Sequence, residues 1–210
     1  MNALASHIRA LQTLVEQSGE LLEGNCIYYH QTLQLAPELQ AKQRNLLRAA
    51  EGAQTIMEIG FNAGHSLLLF LMKAPTGQYT VFDICEHAYT KPCFAYLQQA
   101  FPSAQLTLIE GDSTQTVPAW IAANPAQHFD LVHVDGGHTA EIAKADLEGA
   151  IRVARKGGLI ILDDTNDYVI RAQGDHYAQQ GFLEPAPQEQ TALYEHLLYY
   201  RSGAEFQSNN

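Results

Sequence analysis

Cysteine is scarce in this sequence, and basic residues are outnumbered by acidic ones. The 210 residues include three cysteines, Cys26, Cys85 and Cys93, with no C-x-x-C spacing. An odd count with this spacing argues against a disulfide framework and against a cysteine zinc site. Twelve Lys and Arg stand against 23 Asp and Glu, which gives a net charge of −11. Such a chain repels polyphosphate, so we expect no nucleic-acid partner.

Long apolar runs are also absent. No run of ~18 apolar residues is available to span a bilayer. The N-terminal MNALASHIRALQTL lacks the charged-then-apolar layout of a signal peptide. We therefore expect a cytoplasmic protein without a membrane partner. A content of 46% hydrophobic and 17% charged residues is typical of one globular domain with a sizeable core.

Short apolar or β-branched runs alternate with segments of helical composition. The runs occur at residues 55–60, 79–84, 105–110, 129–135 and 158–163. Strands separated by helices in this way pair in parallel through right-handed crossovers, because each strand must be buried on both faces. We therefore predict an α/β fold with a doubly wound, mostly parallel sheet.

The segments on either side of this core have their own patterns. Residues 1–52 carry leucines at helical spacing and predict two or three helices packed on the sheet edge. Residues 194–201 predict a last strand, followed by a frayed tail over 203–210. We assign the chain to a single domain: N-terminal helices, then a cofactor-binding core over 53–165, then a substrate-side segment with the last strands over 166–210.

Two glycines follow the first predicted strand in the stretch TIMEIGFNAGHS, residues 55–66. In a doubly wound sheet the loop after this strand forms the floor of the ligand crevice. Gly60 would let the backbone turn tightly and approach a ligand without a Cβ, and Gly64 would open the next helix. The dinucleotide fingerprint G-x-G-x-x-G and the P-loop are both absent.

Polar residues also follow the second and third predicted strands. Asp83 closes the second strand, where an acid can accept hydrogen bonds from the ribose hydroxyls of a nucleoside. A helix N-cap is the alternative role for Asp83. Asp112 and Ser113 follow the third strand and suit an adenine edge, although a plain turn explains that tripeptide GDS almost as well.

These segments occur together with FDLVHVDGGHT (129–139) and ARKGGLIILDDT (154–165). In this order and spacing they resemble the class I S-adenosylmethionine (SAM)-dependent methyltransferases over about residues 40–165. VDGGH followed by GGLIILDD looks most like the metal-dependent O-methyltransferases of the catechol and caffeoyl-CoA type and their small bacterial relatives. The resemblance implies a seven-stranded Rossmann-like sheet and a small-molecule acceptor. It also implies a set of SAM-binding residues: Glu58, Gly60, Gly64, Asp83, Asp112, Ser113 and Asp135.

Three carboxylates end neighbouring predicted strands, Asp135 after the fourth and Asp163 with Asp164 after the fifth. Uncompensated, they would repel and raise one another's pKa values. A hard divalent cation, Mg²⁺, Mn²⁺ or Ca²⁺, would relieve that repulsion. The family pattern has an acid–amide pair after the fifth strand, so Asp164 stands where Asn is expected and is either a ligand or a cap. A solvated loop without metal is the alternative.

His138 lies three residues beyond Asp135, where the resembled enzymes carry the lysine that removes the substrate proton. Imidazole titrates near neutral pH, so His138 is a candidate general base, with Asp135 as its catalytic partner. A metal ligand is the other option for His138. We interpret His133 as a wall residue, and Arg44 and Asn45 as part of a solvated helix face rather than as ligands of the cofactor's carboxylate.

Four readings follow from these observations. A SAM-dependent O-methyltransferase assisted by a divalent metal is the first. A metal-independent methyltransferase using Asp135 and His138 and a non-catalytic SAM-binding module are alternatives. A nicotinamide oxidoreductase is disfavoured, because Phe61 and Asn62 interrupt the fingerprint. The acceptor is not identified by the sequence, and a homodimer is left open.

Overall fold

The structure, a computed structural model, describes residues 3–206. Seven α-helices and a short 3₁₀ turn (Pro37–Leu39) are present in this range. The helices are α1 (Ala3–Ser18), α2 (Gln40–Ala49), α3 (His65–Lys73), α4 (Thr90–Ala100), α5 (Ser113–Ala123), α6 (Ala140–Val153) and α7 (Tyr168–Gln179). The strands are β1 (Thr55–Ile59), β2 (Gln78–Asp83), β3 (Gln105–Glu110), β4 (Phe129–Val134), β5 (Ala154–Leu162), β6 (Leu183–Pro185) and β7 (Leu197–Arg201).

The seven strands form one sheet in the order β3-β2-β1-β4-β5-β7-β6. Strands β1 to β5 run parallel, β7 pairs antiparallel with β5, and β6 pairs antiparallel with β7. The predicted doubly wound, mostly parallel fold is therefore confirmed. The last strand, predicted over residues 194–201, begins only at Leu197. Strand β6 was not predicted, because three residues ending in a proline show no strand periodicity.

The central strands β1 and β4 are almost wholly buried, as parallel strands covered on both faces must be. Two fully buried polar residues interrupt this apolar pair, Glu58 in β1 and His133 in β4. They are direct register partners, and neither is measurably exposed. Polar side chains at such positions need hydrogen-bond partners within the protein.

Two apolar clusters cover the two faces of the sheet. One cluster joins α1 to α4 with the strands, and the other joins α5 to α7. We predicted that the N-terminal helices pack on the sheet edge. They instead pack on α3 and α4 over one face, because Leu11, Val15 and Leu46 form buried apolar stripes that continue the first cluster.

The predicted frayed tail is partly packed. The ring of Phe206 contacts Phe182 and Tyr177, with centroids 5.0 and 5.9 Å apart. Residues 207–210 of the predicted tail lie outside the described residues. Within the described range, none of the helices combines the length and apolar character that crossing a membrane requires.

Candidate functional site

A cavity of about 730 Å³ opens over the carboxyl ends of the parallel strands. Residues at or just after the ends of β1, β2, β3, β4 and β5 all contribute to its wall: Gly60, Asp83, Gly111, Asp135 and Asp164. Strand order reverses between β1 and β4 beneath it, which is the expected place for a ligand in this fold. A second cavity of about 700 Å³ lies beside α7 and β7, but it gathers none of these strand ends.

Gly60 lines the cavity in a left-handed conformation, with φ of +89°. A Cβ at this position would lie 1.9 Å from the backbone oxygen of Asp135. We expected Gly60 to make room for a ligand. The described packing gives a different reason for the glycine, because the loops after β1 and β4 approach each other too closely for any side chain.

Gly64 is the N-cap of α3, as expected for the residue that opens this helix. Its φ is +77°, and a Cβ would lie 2.5 Å from ring atoms of Phe61. It is not among the residues lining the cavity. The predicted contact of Gly64 with the cofactor is thus corrected to a packing role, since its missing side chain leaves space for the Phe61 ring.

The Asp83 carboxylate joins the loop after β1 to the end of β2. Its Oδ2 accepts hydrogen bonds from the backbone N–H groups of Phe61 at 2.7 Å and Asn62 at 2.9 Å. Its Oδ1 accepts one from the N–H of Cys85 at 2.6 Å. The N-cap of α4 is Tyr89, so the helix-capping alternative for Asp83 is wrong. A carboxylate has about four acceptor sites, which leaves one for a ligand hydroxyl in the cavity.

Asp112 and Ser113 both line the cavity. Asp112 is also the N-cap of α5, where its Oδ1 accepts hydrogen bonds from the backbone N–H and the hydroxyl of Thr114 at 2.9 and 2.7 Å. The turn considered for this tripeptide is present, and the contact with an adenine edge stays a prediction. The cap fixes the turn, and the turn forms part of the cavity wall.

A chain of buried polar side chains runs beneath the cavity. Glu58 Oε1 accepts a hydrogen bond from Ser66 Oγ at 2.5 Å and lies 2.9 Å from His133 Nδ1. His133 Nε2 lies 3.1 Å from Asp163 Oδ2, and Lys42 Nζ donates to Asp163 Oδ1 at 2.6 Å. Glu58 is wholly enclosed by this network and does not line the cavity. Direct cofactor contact by Glu58 is therefore corrected to a role inside the sheet.

Opposite charges compensate one another along this chain. Burial lowers the pKa of His133, but its hydrogen bonds to Asp163 and Glu58 outweigh burial and raise the pKa to about 10. Burial also opposes the charge of Lys42, yet the attraction of Asp163 and other carboxylates raises its pKa. The pKa of Asp163 is lowered, because Lys42 and His133 outweigh its burial. His133, which we predicted as a wall residue, is instead part of this buried network, whose carboxylates favour its charged form.

Within residues 3–206 the Asp135 carboxylate forms neither a hydrogen bond nor an ion pair. Burial and the neighbouring carboxylates of Asp163 and Asp164 raise its pKa well above the ordinary value. It lines the cavity, whereas Asp163 is buried below it. Of the acids that end β4 and β5, Asp135 and Asp164 line the cavity and Asp163 does not.

His138 and Asp164 form a pair at the cavity wall. His138 Nε2 lies 3.0 Å from Asp164 Oδ2, and the His138 side chain is 60% exposed. The hydrogen bond with Asp164 is the main cause that raises the pKa of His138. We predicted Asp164 as a metal ligand or a cap. Its carboxylate is instead directed at His138, which is a contact that suits the orientation of a general base.

A divalent cation fits this arrangement poorly. His133, Asp135 and Asp163 offer ligand atoms within 4.8 Å of one another. Both Asp163 oxygens, however, already hold partners: Oδ1 contacts Lys42 Nζ and the Asp164 N–H, and Oδ2 contacts His133. A metal at this cluster would have to compete with two basic side chains for the same carboxylate.

Lys42 was missed in the sequence analysis. It is 4% exposed and occupies the buried stripe of α2 together with Leu46 and Ala49. A lysine at a core position of an amphipathic helix was the available signal, since buried lysines are nearly always paired. Only the fold could show that the partner is Asp163.

The two neighbours of Lys42 that we had considered lie away from the cavity. Arg44 is on the surface and forms an ion pair with Glu189 at 2.8 Å, as a solvated helix face would. Asn45 is buried and contacts His196 Nε2 and the backbone oxygen of Glu189, both at 2.8 Å. These contacts join α2 to the segment before β7, and the reading of Asn45 as solvated is corrected.

Residues 57–165, which contain most of β1, all of β2 to β5 and the strand-end residues of the cavity, match the family model described as a methyltransferase domain. The chain belongs to this methyltransferase family. The family and the methyltransferase class predicted from the sequence are thereby confirmed.

Individual relatives agree with this assignment. A catechol O-methyltransferase from Mycobacterium tuberculosis (strain ATCC 25618 / H37Rv) is 29% identical over 136 residues, which span 64% of this chain and 57% of that protein. This methyltransferase therefore matches little more than half the length of that curated relative.

Two solved structures share the fold. The O-methyltransferase from Bacillus cereus in complex with SAH has a TM-score of 0.70 and 17% identity, covering 94% of this chain and 90% of that one. The O-methyltransferase TomG from Streptomyces achromogenes, involved in tomaymycin synthesis and solved with SAM, has a TM-score of 0.69 and 16% identity over the same shares. At these identities the likeness shows the fold alone.

Proposed function

We propose that this methyltransferase uses SAM to methylate a hydroxyl oxygen of a small molecule. The observation that carries the proposal is that one cavity joins two sets of residues. Gly60, Asp83 and Asp112 form the part suited to a nucleoside. Asp135, His138 and Asp164 form the part suited to proton transfer from an acceptor.

The first part of the cavity suits SAM in size and polarity. Its volume of about 730 Å³ is within the range that holds a drug-sized ligand. Asp83 keeps an acceptor site for a ribose hydroxyl, and Ser113 presents a hydroxyl on the same wall. The Asp112 cap holds this turn in the cavity wall, where its polar side chains suit the adenine edge.

The second part supplies a base. When SAM is bound, the acceptor oxygen forms a bond to its methyl carbon, the carbon–sulfur bond breaks, and its electron pair passes to sulfur to give S-adenosylhomocysteine. His138 receives the hydroxyl proton at a ring nitrogen, and Asp164 stabilises the imidazolium that results. Asp135, which lines the same cavity, positions the hydroxyl beside His138.

The divalent metal predicted from the sequence had Asp135, Asp163 and Asp164 as its ligands, whereas the residues whose ligand atoms come together in the structure are His133, Asp135 and Asp163. It would lower the pKa of the acceptor hydroxyl and hold its oxygen. The contacts of Lys42 and His133 with Asp163 favour a reaction without it. The proposed reaction is accordingly carried by His138 and Asp135, the metal-independent alternative.

A non-catalytic SAM-binding module is the competing function. It would be favoured by a crevice blocked over Asp135. In the described residues Asp135 and His138 both line the open cavity, which supports an enzyme. We also propose a cytoplasmic location and a small-molecule acceptor, and the homodimer stays an untested option.

Isothermal titration with S-adenosylhomocysteine tests the cofactor assignment. We expect micromolar-range affinity and a raised melting temperature, since the ligand binds only the folded state. NAD is the control and should produce neither effect. Stabilisation by NAD without any effect of the thioether would contradict the proposal. Methyl transfer is then sought with catechols, hydroxylated aromatics and sugars as acceptors.

A further inference from the structure

We propose that the Lys42 ammonium takes the place of a divalent metal among the strand-end carboxylates, so that methyl transfer by this chain needs no metal. The inference rests on the proposed function, and it identifies the Lys42 ammonium as the cation that neutralises the carboxylates of the same site. It assigns to α2 a positioning residue that lies 121 positions from its carboxylate partner in sequence.

The first support is the enclosure of the pair. The side chains of Lys42 and Asp163 are 5% and 0% exposed, and their N···O distance is 2.6 Å. A metal ion bound to Asp163 would have to displace this ammonium. An unpaired ammonium would then remain buried, which is strongly unfavourable.

The second support is that the donors around Asp163 already satisfy it. The Asp164 N–H donates to the same oxygen as Lys42 at 2.8 Å, and His133 Nε2 lies 3.1 Å from the other oxygen. These three contacts come from α2, β4 and the chain after β5. Together they provide the positive charge and the geometry that an ion would otherwise supply.

The third support is that Lys42 is not confined to the core. It lines the cavity together with Asp135, His138 and Tyr194. Its Nζ lies 6.0 Å from the centre of the Tyr194 ring, whose hydroxyl accepts a hydrogen bond from the His30 N–H at 3.0 Å. An ammonium has three N–H donors, and one is used by Asp163. The others are available for negative charge that develops on an acceptor oxygen as His138 takes its proton.

A purely structural ion pair is the alternative role for Lys42. It would also neutralise Asp163, but it would have no bearing on metal binding. The two roles therefore differ in what happens to the carboxylate cluster when the ammonium is removed. A cluster whose cation is missing should recruit another one.

Binding of Mn²⁺, measured by electron paramagnetic resonance, tests the proposal with the full chain. We expect wild type to bind no stoichiometric Mn²⁺ and Lys42→Ala to bind one ion per chain at least tenfold more tightly than wild type. Lys156→Met, an exposed lysine of β5, is the control and should behave as wild type. A wild-type protein that binds one Mn²⁺ with micromolar affinity would overturn the proposal. So would a folded Lys42→Ala variant that binds Mn²⁺ no better than wild type.

Two further measurements keep the outcome interpretable. If Lys42→Ala does not fold, Lys42→Met replaces it, because methionine retains the apolar stem without the charge. If neither variant folds, Mn²⁺ binding by wild type alone tests the proposal. Methyl transfer by wild type should also be unchanged by EDTA, and a reversible loss would count against the inference. S-adenosylhomocysteine titration of wild type is run in parallel, because its failure would remove the proposed function while the Mn²⁺ result still reports on Lys42.

Discussion

His138 Nε2 lies 3.0 Å from Asp164 Oδ2, in a pair that joins the loop after β4 to the loop after β5. Asp164 occupies the position at which the resembled enzymes have an asparagine, and His138 occupies the position at which they have a lysine. The two departures from the family pattern thus occur in contact with each other. A neutral imidazole beside a carboxylate can accept a proton and hold the resulting charge.

Replacing His138 should therefore remove the base without removing the cofactor. His138→Gln is expected to lower turnover by roughly 10²–10⁴-fold while S-adenosylhomocysteine affinity stays unchanged. Initial rates with an identified acceptor measure the first effect, and calorimetry measures the second. His128→Gln, an exposed histidine before β4, is the control. A His138→Gln enzyme with its full rate would return His138 to a structural role.

The pH profile should carry the signature of the same pair. His138 must lose its proton to act as a base, so the rate should rise with pH through its pKa. Because Asp164 raises that pKa, Asp164→Asn should move the rising limb to lower pH. Rates over pH 5 to 9, measured for both proteins under saturating cofactor, check the direction. A limb that moves upward would contradict the pairing.

Gly60→Ala should destabilise the fold rather than merely block the cavity. The added Cβ would meet the Asp135 backbone oxygen, and a collision with backbone cannot be relieved by a rotamer change. We expect a loss of ~3 kcal/mol or more in the free energy of unfolding. Gly181→Ala is the matched control, since its φ is +78° but nothing lies within 4 Å. It should cost only ~1 kcal/mol. If urea unfolding showed equal losses of unfolding free energy for the two variants, the close contact between Gly60 and the Asp135 backbone would be contradicted.

Asp83→Ala should weaken two properties at once. Three backbone N–H groups lose their acceptor, so the unliganded protein should lose ~1–3 kcal/mol of unfolding free energy. S-adenosylhomocysteine affinity should fall by a further ~1.5–3 kcal/mol, the scale of a charged hydrogen bond. Urea unfolding without ligand and calorimetry separate the two. An affinity loss with unchanged stability would mean that Asp83 serves the ligand alone.

Asp146 in α6 predicts a pH dependence of stability. Its carboxylate is buried where the missing Cβ of Gly136 leaves room, and burial raises its pKa from 3.8 to about 6, with Ser113 offsetting part of the effect. Between these values the folded state binds the proton more tightly than the unfolded state. The free energy of unfolding therefore falls as pH rises from about 4 to about 6, and the cost persists above that range.

Asp146→Asn should remove this dependence. The stability difference between the variant and wild type should grow in favour of the variant by up to ~3 kcal/mol as pH rises from 4 to 6, and stay level above it. Urea unfolding at four or five pH values measures it. A difference that does not vary with pH would show that Asp146 ionises freely in the folded protein.

The sequence by itself determined the fold and the edge of the sheet where the site lies. Alternating strand and helix patterns require parallel strands, and parallel strands bring their carboxyl ends to one edge. Asp83, Asp112, Asp135 and His138 could therefore be assigned to one crevice from their positions alone. Local periodicity is sufficient for this assignment, because it requires only the position of each residue relative to the end of its own strand.

Tertiary structure alone decided which side chains meet. Lys42 reaches Asp163 from a helix that precedes the sheet, and Glu58 faces His133 only because β1 and β4 are paired in that register. Gly60 has no room for a side chain because of the Asp135 carbonyl, 75 residues later in the sequence. Local patterns record burial and periodicity, whereas the choice of partner for a buried charge depends on long-range packing. The sequence alone could therefore not predict which side chains neutralise the strand-end carboxylates, or whether these carboxylates bind a metal.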